Sequence, residues 1–383
     1  MEKVVLLKCG SYNNSEIESK VKAMFAELGG IGKFVIPGKK VMIKPNIFGA
    51  FPPQRAATTH PSIVRSVCKL AIEAGGNVFI AESPAPSRES FETKAKVSGI
   101  LQVAQELGIS LIELKDPVRV DTPAACKIRK MEFSRTAVEA DIIINIAKMK
   151  THTQQMFTSG VKNMFGCVVG TRKPEWHANL DLDRVIFASM LLDNYLFLKP
   201  ALTIVDAVVG MDGEGPANGN PKQIGIIGAS RDALLLDMAL FKMVNGDFSK
   251  FPMFQAAKER KLTDEGVVNR IEISGDGASV SIKDFIFPDL GFALYSKGWI
   301  GKLMKKYCIA KPVGIPKNCI RCKSCEKICP KDAVKIVPGK IIYDYAKCIR
   351  CYCCQEVCPA KAITFKKPLL YRILNITKLM GIN

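Results

Sequence analysis

Eight cysteines in the C-terminal part of the chain fall into two runs with the same spacing. Each run reads C-x2-C-x2-C-x3-C-P, and the cysteines are Cys319, Cys322, Cys325 and Cys329, then Cys348, Cys351, Cys354 and Cys358. In such a pattern three thiolates wrap one iron–sulfur cubane, and the fourth cysteine is carried away to ligate the other. The spacing therefore predicts two 4Fe-4S clusters, one on Cys319, Cys322, Cys325 and Cys358 and one on Cys348, Cys351, Cys354 and Cys329.

Zinc is the alternative metal for a cysteine-rich segment. Structural zinc sites use two CxxC pairs or mixtures of Cys and His, and not eight cysteines at this spacing. The segment 315–367 resembles the bacterial ferredoxins that carry two 4Fe-4S clusters, which implies a small α+β iron–sulfur domain for electron transfer. Cys353 is an additional thiol beside a ligand. Because free cysteine commonly behaves as a small hydrophobe, we expect Cys353 to pack in the core.

The surroundings of these cysteines are strongly basic. The chain has a formal net charge of +19, and most of the excess lies after residue 297. The basic side chains that flank the cysteines are Lys317, Arg321, Lys323, Lys327, Lys331, Lys335, Lys347, Arg350 and Lys361. Positive charge should raise the reduction potential of a nearby cluster and favour an acidic redox partner. The alternative is that these residues only offset the negative charge of the clusters.

Residues 1–289 alternate short apolar runs with helical patterns. The runs predicted as strands are Val4–Leu7, Val41–Ile43, Val78–Ile80, Ile142–Ile144, Leu202–Val205 and Ile224–Ile227. The predicted helices include a segment that starts at Pro61, and the segments 185–198 and 232–244. This alternation predicts an α/β domain with a mainly parallel sheet covered by helices on both faces. Functional loops in such domains follow the carboxyl ends of the strands.

Polar residues in the predicted loops of this domain form a candidate ligand site. His60, His152 and His177 are the histidines of the chain, and all three lie in polar stretches outside the predicted strands. The further candidates for binding a cofactor, a small anion or a divalent metal are Lys44, Asn46, Gly160, Lys162, Asn163, Asp212 and Glu214. Glycine beside lysine suits a backbone cradle for an anion, although the segment is no Walker sequence. The alternative is that the glycine-rich stretches are plain turns.

In their order and spacing, these segments resemble a known family. Lys44-Pro45-Asn46, Thr59-His60-Pro61, Lys150-Thr151-His152, Gly160-Val161-Lys162-Asn163 and Gly213-Glu214-Gly215-Pro216 are similar to the family of the domain of unknown function numbered 362. That family is often followed by a ferredoxin module. The resemblance implies the domain pairing seen here and no particular reaction.

A weaker resemblance concerns His152, the segment 157–162 and His177, which are similar to the core of nickel-pincer lactate racemases. That resemblance implies that Lys162 carries the cofactor, that His177 binds nickel and that His152 moves a proton. The first catalytic histidine and the early Asp-Arg element of that family have no counterpart in this sequence. The identity of a second cofactor in the large domain therefore stays open.

Two basic amphipathic segments flank the iron–sulfur domain. We expect a linker helix at 290–314 and a tail helix at 368–383, each with an apolar stripe beside lysines. Such helices can lie on an anionic membrane, but an apolar stripe more often packs on its own protein. No nucleic-acid-binding motif accompanies the charge. The N-terminus lacks the features of a signal peptide, so we expect a cytoplasmic protein.

Three functions fit this sequence. In the first, the ferredoxin domain exchanges electrons with a small-molecule site in the large domain, which makes the protein an oxidoreductase or a component of one. In the second, the protein is a non-catalytic electron carrier that docks an acidic partner. In the third, it is a cluster-assembly or maturation factor.

Overall fold

The computed structural model describes residues 2–123, 126–179, 183–288 and 309–368. The predicted tail helix at 368–383 and most of the predicted linker helix therefore lie outside the described residues. Lys311–Gly314, at the end of the predicted linker, forms a strand and not a helix. This strand pairs with Ile363–Lys366, so the small domain begins before residue 315.

The strands of the described residues are β1 (Val4–Lys8), β2 (Lys40–Lys44), β3 (Asn77–Glu82), β4 (Ser110–Glu113), β5 (Pro117–Asp121), β6 (Lys130–Ser134), β7 (Ile142–His152), β8 (Met156–Thr158), β9 (Leu202–Asp212), β10 (Asn220–Ser230), β11 (Ile273–Ser274), β12 (Lys311–Gly314), β13 (Val334–Val337), β14 (Lys340–Tyr343) and β15 (Ile363–Lys366).

The α-helices of the same residues are α1 (Asn14–Glu27), α2 (Pro61–Glu73), α3 (Phe91–Val97), α4 (Ile100–Leu107), α5 (Arg135–Val138), α6 (Gly160–Asn163), α7 (Lys173–Asn179), α8 (Arg184–Leu198), α9 (Ala233–Met243), α10 (Pro252–Glu259), α11 (Val267–Arg270), α12 (Ser324–Ile328) and α13 (Cys353–Glu356). Side-chain caps begin several of them. Asn13, Asp183 and Asp232 accept hydrogen bonds from the first turns of α1, α8 and α9. These bonds satisfy amides that have no partner inside the helix.

The large domain is built on one mixed sheet with the strand order β11-β1-β10-β9-β7-β2-β3-β4, and β8 pairs with β7. The central strands β9, β7, β2, β3 and β4 run parallel, whereas β10 is antiparallel to both β9 and β1. The predicted α/β class with a mainly parallel sheet is thus confirmed. The parallel strands read as continuous apolar runs because both of their faces are buried.

Successive side chains of a strand enter two separate cores. Val41 and Ile43 of β2 pack in the core that also holds Ile17 of α1 and Val64 of α2. Met42 points the other way, into the core built with α8 and α9. Alternation along a strand sends neighbouring residues to opposite faces, so helices cover both sides of the sheet.

The small domain repeats its backbone at an interval that matches the cysteine runs. Arg321 and Lys323 have positive φ angles in the first run, and Arg350 and Tyr352 have them in the second. The helices α12 and α13 follow these loops, and each is followed by a hairpin or an edge strand. These residues with positive φ turn the chain tightly around each group of thiols. The two cysteine runs therefore have the same backbone conformation, as their equal spacing predicts.

Candidate functional site

The first set of thiols lines a cavity in the small domain. Cys319, Cys322, Cys325 and Cys358 meet there, and the walls between them are apolar and include Ile341. Three of these cysteines come from the first run and the fourth from the second run. This arrangement agrees with the ligand exchange predicted for the first cluster.

The second set lies on the other half of the duplication. The Cys348 thiol is close enough to Cys351 and Cys329 for its pKa to respond to them, and Cys354 interacts with Cys351 and Cys348 in the same way. The crossing ligand is again the last cysteine of the opposite run. The sulfur of Cys329 accepts a hydrogen bond from the amide of Ala333 at 3.2 Å. In the same way, the sulfur of Cys358 accepts one from the amide of Ala362 at 3.2 Å.

The chemistry of these donors fits an iron–sulfur cluster. Burial, together with the neighbouring thiols Cys358 and Cys322, raises the pKa of Cys325 to about 12. Such thiols become ligands only when a metal displaces their protons. Across the part of the chain that is described, no three His, Cys, Asp or Glu side chains converge closely enough to hold a single ion. The first set thus surrounds a volume, as a cubane requires, and not a point.

The small domain is docked on the large domain through both of its short helices. At α12, the Ser324 hydroxyl accepts a hydrogen bond from the amide of Arg88, and Lys327 donates to the carbonyl of Ser87 at 3.0 Å. At α13, the carbonyl of Gln355 accepts from the Asn218 side chain at 3.1 Å. The docked edge of the large domain includes the loops that follow β3 and β9.

A cavity of about 80 Å³ lies between the two domains. The large domain contributes residues that follow β2 and β3, together with Lys162, Asn163 and Lys173. The small domain contributes Ile328 of α12 and three residues of α13 and its end, which are Cys353, Glu356 and Val357. A cavity needs only about 10–15 Å³ to hold one water, so this one has room for several waters or a small ligand.

A buried ion pair forms the base of this cavity. Lys44 lies at the end of β2, and its ammonium contacts Glu82 of β3 at 3.0 Å, with both side chains almost fully buried. Glu82 also accepts the amide hydrogens of Ile47 and Ser83. Gly166 packs directly over the pair, and a Cβ there would meet the Glu82 carboxylate at 2.2 Å. The glycine is therefore required by close approach and not by its backbone angle.

A chain of amides fixes the side chains next to the pair. Asn46 donates to Asn163 at 3.0 Å, and Asn163 donates to Asn145 at 2.8 Å. Lys150 donates to the Asn46 side chain at 2.7 Å and to the carbonyl of Ala57 at 2.8 Å. Fully paired buried amides hold one geometry, so Asn46 and Asn163 present defined polar atoms to the cavity.

The cavity is surrounded by more lysines than carboxylates, so its electrostatics favour an anionic ligand. Burial lowers the pKa of Lys162, and burial lowers the pKa of Lys173 to about 7. Burial also lowers the pKa of Lys150 well below its ordinary value, and the charge of Lys162 adds to this effect. An anionic ligand would restore the charged forms of these lysines.

One carboxylate of the small domain faces this basic wall. Burial raises the pKa of Glu356 to about 7, while Lys162 and Lys150 act in the opposite direction. Its Oε1 has no hydrogen-bond partner within the described residues and lies 3.5 Å from Nε2 of His152. The other ring nitrogen of His152 accepts from the amides of Gln154 and Gln155.

The position of His152 differs from the sequence prediction. The sequence predicts a loop at this position, but β7 continues through it, because β8 folds back and pairs His152 with Met156. The side chain is fully buried. Of the predicted catalytic residues, the structure therefore brings Lys162 to the cavity and places His152 against Glu356, which lines it.

His60 does not join this group in the described structure. His60 begins α2, its ring stacks on Tyr12 at 3.6 Å, and its amide donates to Asp206 at 2.9 Å. Lys148 completes that second buried cluster through its 2.8 Å contact with Asp206. His177 lies in α7, and its side chain falls outside the described part of the structure.

Three of the predicted binding residues have other roles in the structure. The amide of Gly160 donates to the Asp237 carboxylate at 2.6 Å, so a protein side chain already fills the expected anion cradle. Asp212 accepts from the amide of Ile286. Glu214 is exposed and offers its carbonyl to Gln355, which makes its loop part of the domain interface.

Sequence reasoning does not identify Glu82, Lys173 or Glu356 as site residues. For Glu356 a signal does exist in the duplication, because the equivalent residue of the first repeat is Lys327. A glutamate where the other repeat has a lysine, in a domain that is otherwise basic, indicates that Glu356 has a role of its own. Cys353 is buried, as predicted for a packed thiol, and it also faces the cavity.

Comparisons with known proteins agree with this two-part architecture. Residues 41–242 match the family described as Domain of unknown function (DUF362), and residues 341–364 match the 4Fe-4S binding domain. The chain is 35% identical over 260 residues to the Thylakoid-associated protein sll1697 of Synechocystis sp., which covers 68% of this chain and 79% of that protein. Both predicted resemblances that rest on these segments are confirmed, and the chain carries a 4Fe-4S binding domain.

A solved structure is similar in part. The lactate racemase apoprotein from Thermoanaerobacterium thermosaccharolyticum aligns with 15% identity and a TM-score of 0.38, over 67% of this chain and 56% of that chain. This chain thus spans little more than half the length of the racemase. A likeness of this size carries no argument about the reaction.

Within the described residues, every helix is too short or too polar to pass through a lipid bilayer.

Proposed function

We propose, from the premise that this chain belongs to the DUF362 family, that it is an oxidoreductase component in which two 4Fe-4S clusters exchange electrons with a ligand in the interdomain cavity. One observation carries the proposal. The short helix α13 presents Cys354 to the second thiol set while Cys353 and Glu356, on the same helix, line the cavity. A cluster on that set would therefore lie next to the ligand.

Two clusters, and not one, are proposed because the duplication is complete. Each half supplies three neighbouring cysteines, a left-handed loop and a crossing fourth cysteine whose sulfur accepts an amide hydrogen bond. When bound, the clusters supply one-electron transfer. Joining them to the cavity in one chain raises the effective concentration of electron donor and acceptor.

The residues of the cavity bind and orient a small anion in this proposal. Lys162 and Lys173 supply positive charge in a partly buried setting, where an ion pair is stronger than in water. Asn46 and Asn163 supply fixed hydrogen-bonding groups, and the docked helices exclude bulk water. A phosphate- or carboxylate-bearing molecule that accepts electrons suits this set of groups.

Anaerobic purification followed by mass spectrometry of bound small molecules tests the proposal. We expect a small anionic molecule to be recovered with the native protein and to be lost from a Lys162→Met variant whose iron content is unchanged. Lys22→Met, at an exposed position on α1, serves as the control and should retain the molecule. If the native protein carries no second molecule and the Lys162 variant is reoxidised by every tested acceptor at the native rate, the proposal fails.

A non-catalytic electron carrier is the second candidate, and it is favoured by the exposed basic loop of the first cysteine run. It predicts clusters that exchange electrons with a partner protein while the cavity stays without a ligand. The recovery experiment above separates the two candidates. None of the described cysteines forms a disulfide, which fits a reducing compartment, and we propose the cytoplasm as the location.

A further inference from the structure

The two halves of the iron–sulfur domain differ in what covers them. Ile320 stands between ligands of the first run and is 65% exposed, and its equivalent in the second run, Ile349, is partly buried. Lys323 is exposed, whereas Tyr352 at the equivalent position is 2% exposed. The loop of the first cysteine run is therefore exposed, whereas the equivalent loop of the second run is covered.

The cover of the second loop is visible in the structure. Tyr352 donates to the carbonyl of Ala310 at 2.8 Å, and Arg350 donates to the carbonyl of Ile309 at 3.4 Å. Both acceptors lie just before β12, which pairs with the last strand of the domain. Phe365 of that strand packs edge-on against Tyr352.

The first loop has the opposite character. The side chains of Lys317, Arg321 and Lys323 are exposed and form no hydrogen bond or ion pair with any other described residue. Between residues 316 and 323 the sequence contains these three bases and no acid. The loop thus presents an exposed apolar side chain among three exposed basic residues, next to the partly buried Cys319 and Cys322.

We infer that the loop 316–323 is the docking face for an acidic redox protein, and that electrons pass between this chain and that partner through the cluster on Cys319, Cys322, Cys325 and Cys358. A partner surface with an apolar spot inside a ring of carboxylates is complementary to it. One electron leaves the reduced centre of the partner and enters the oxidised cluster, and no bond is made or broken. This inference rests on the proposed function, to which it adds the partner and the point of entry.

The route of transfer follows from the positions of the two sets. The first set lies beside Ile320 and Lys323 of the docking loop, whereas Cys354 of the second set is carried by the helix that lines the cavity. Electrons would enter at the open loop, cross to the second cluster and reach the cavity. The asymmetric cover blocks a partner from docking directly on the second loop.

Stopped-flow reduction of the intact, cluster-containing protein tests the docking face. The probe is a chemically reduced acidic 2Fe-2S ferredoxin at low ionic strength. Reversing the loop charges with Lys317→Glu, Arg321→Glu and Lys323→Glu should lower the second-order rate constant about tenfold or more and remove its dependence on salt. The control reverses three exposed charges of the large domain, Lys22→Glu, Lys96→Glu and Lys130→Glu, and should change the rate constant less than about twofold.

One further variant tests the apolar contact separately from the charges. Ile320→Ala should lower the rate constant while the salt dependence remains, because the apolar contact is lost and the charges are kept. The inference is overturned if the control variant loses as much rate as the loop variant, if added salt does not slow reduction of the native protein by the acidic probe, or if the loop charges matter only for binding to phosphatidylglycerol vesicles. Reduction by dithionite shows that the clusters are intact in every variant, so a failed docking test is distinct from a failure of the proposed function.

Discussion

At the level of single residues, the buried pair Lys44–Glu82 organises the base of the cavity. Replacing Lys44 by Met leaves the Glu82 carboxylate buried beside an apolar chain, and removing one partner of a buried pair costs about 3–5 kcal/mol. We expect Lys44→Met to lower the free energy of unfolding by that amount. Urea denaturation monitored by circular dichroism measures it.

A second substitution distinguishes the lost pair from lost packing. Lys44→Met combined with Glu82→Gln removes the uncompensated charge and should recover part of the loss. The comparison is the exposed pair of Arg135, at the start of α5, and Glu139, just after its end, and Arg135→Met should cost less than about 1 kcal/mol. Equal costs at the buried and exposed pairs would contradict this description of the cavity.

The fold shifts the pKa of His60. Burial lowers the pKa to about 4, the neighbouring Lys148 lowers it and Asp206 raises it. Because the folded-state pKa lies below the ordinary value, the unfolded chain binds more protons between about pH 6.5 and pH 4. The stability that neutral His60 contributes is complete above that window and is lost as the pH falls through it.

Nuclear magnetic resonance titration of the ring protons checks this prediction, since the chain has only 3 histidines to assign. His60→Asn identifies the resonance and keeps an acceptor at the start of α2, because asparagine is a good helix cap. A midpoint near 4 is the expected result. A midpoint near 6.5 would mean that the ring is solvated and that its stacking on Tyr12 is not formed.

At the level of elements, the start of α6 is set by close packing. A Cβ on Gly160 would lie 2.6 Å from the methyl group of Thr203, on a strand that cannot move aside. We expect Gly160→Ala to destabilise the protein by about 1–3 kcal/mol through overpacking. Gly32→Ala, where a Cβ meets no atom within 4 Å, should be close to neutral.

Thermal unfolding of both variants gives the comparison, and ligand recovery gives a second reading. Because α6 carries Lys162, the Gly160 variant should also retain less of the small molecule found with the native protein. A stable Gly160→Ala protein would show that the segment has room, and the glycine would then require an explanation through ligand binding.

The elements of the large domain could be predicted from local sequence, and their exact extent could not. The apolar runs of β2 and β3 and the proline at the start of α2 are local signals, and each is found where predicted. The extension of β7 through His152 depends on pairing with β8. The antiparallel direction of β10 depends on its neighbours β9 and β1 in the same way. Such pairing is tertiary and leaves little trace in a short window.

At the level of the whole molecule, the contact between the domains creates the site. Lys162 and Asn163 could be proposed from the sequence because they follow a strand of an α/β domain. Glu356 lies far along the chain, and its position beside His152 results from the docking of a separate domain. The cysteines, by contrast, follow a short fixed spacing, which is why the sequence alone predicts the two ligand sets.

The number and type of metal centres test the central claim most directly. Iron and acid-labile sulfide should be determined on protein purified without oxygen, together with electron paramagnetic resonance after reduction by dithionite. We expect about eight irons per chain and a spectrum of two interacting spins. About four irons with a single isolated spin, or zinc in place of iron, would contradict it.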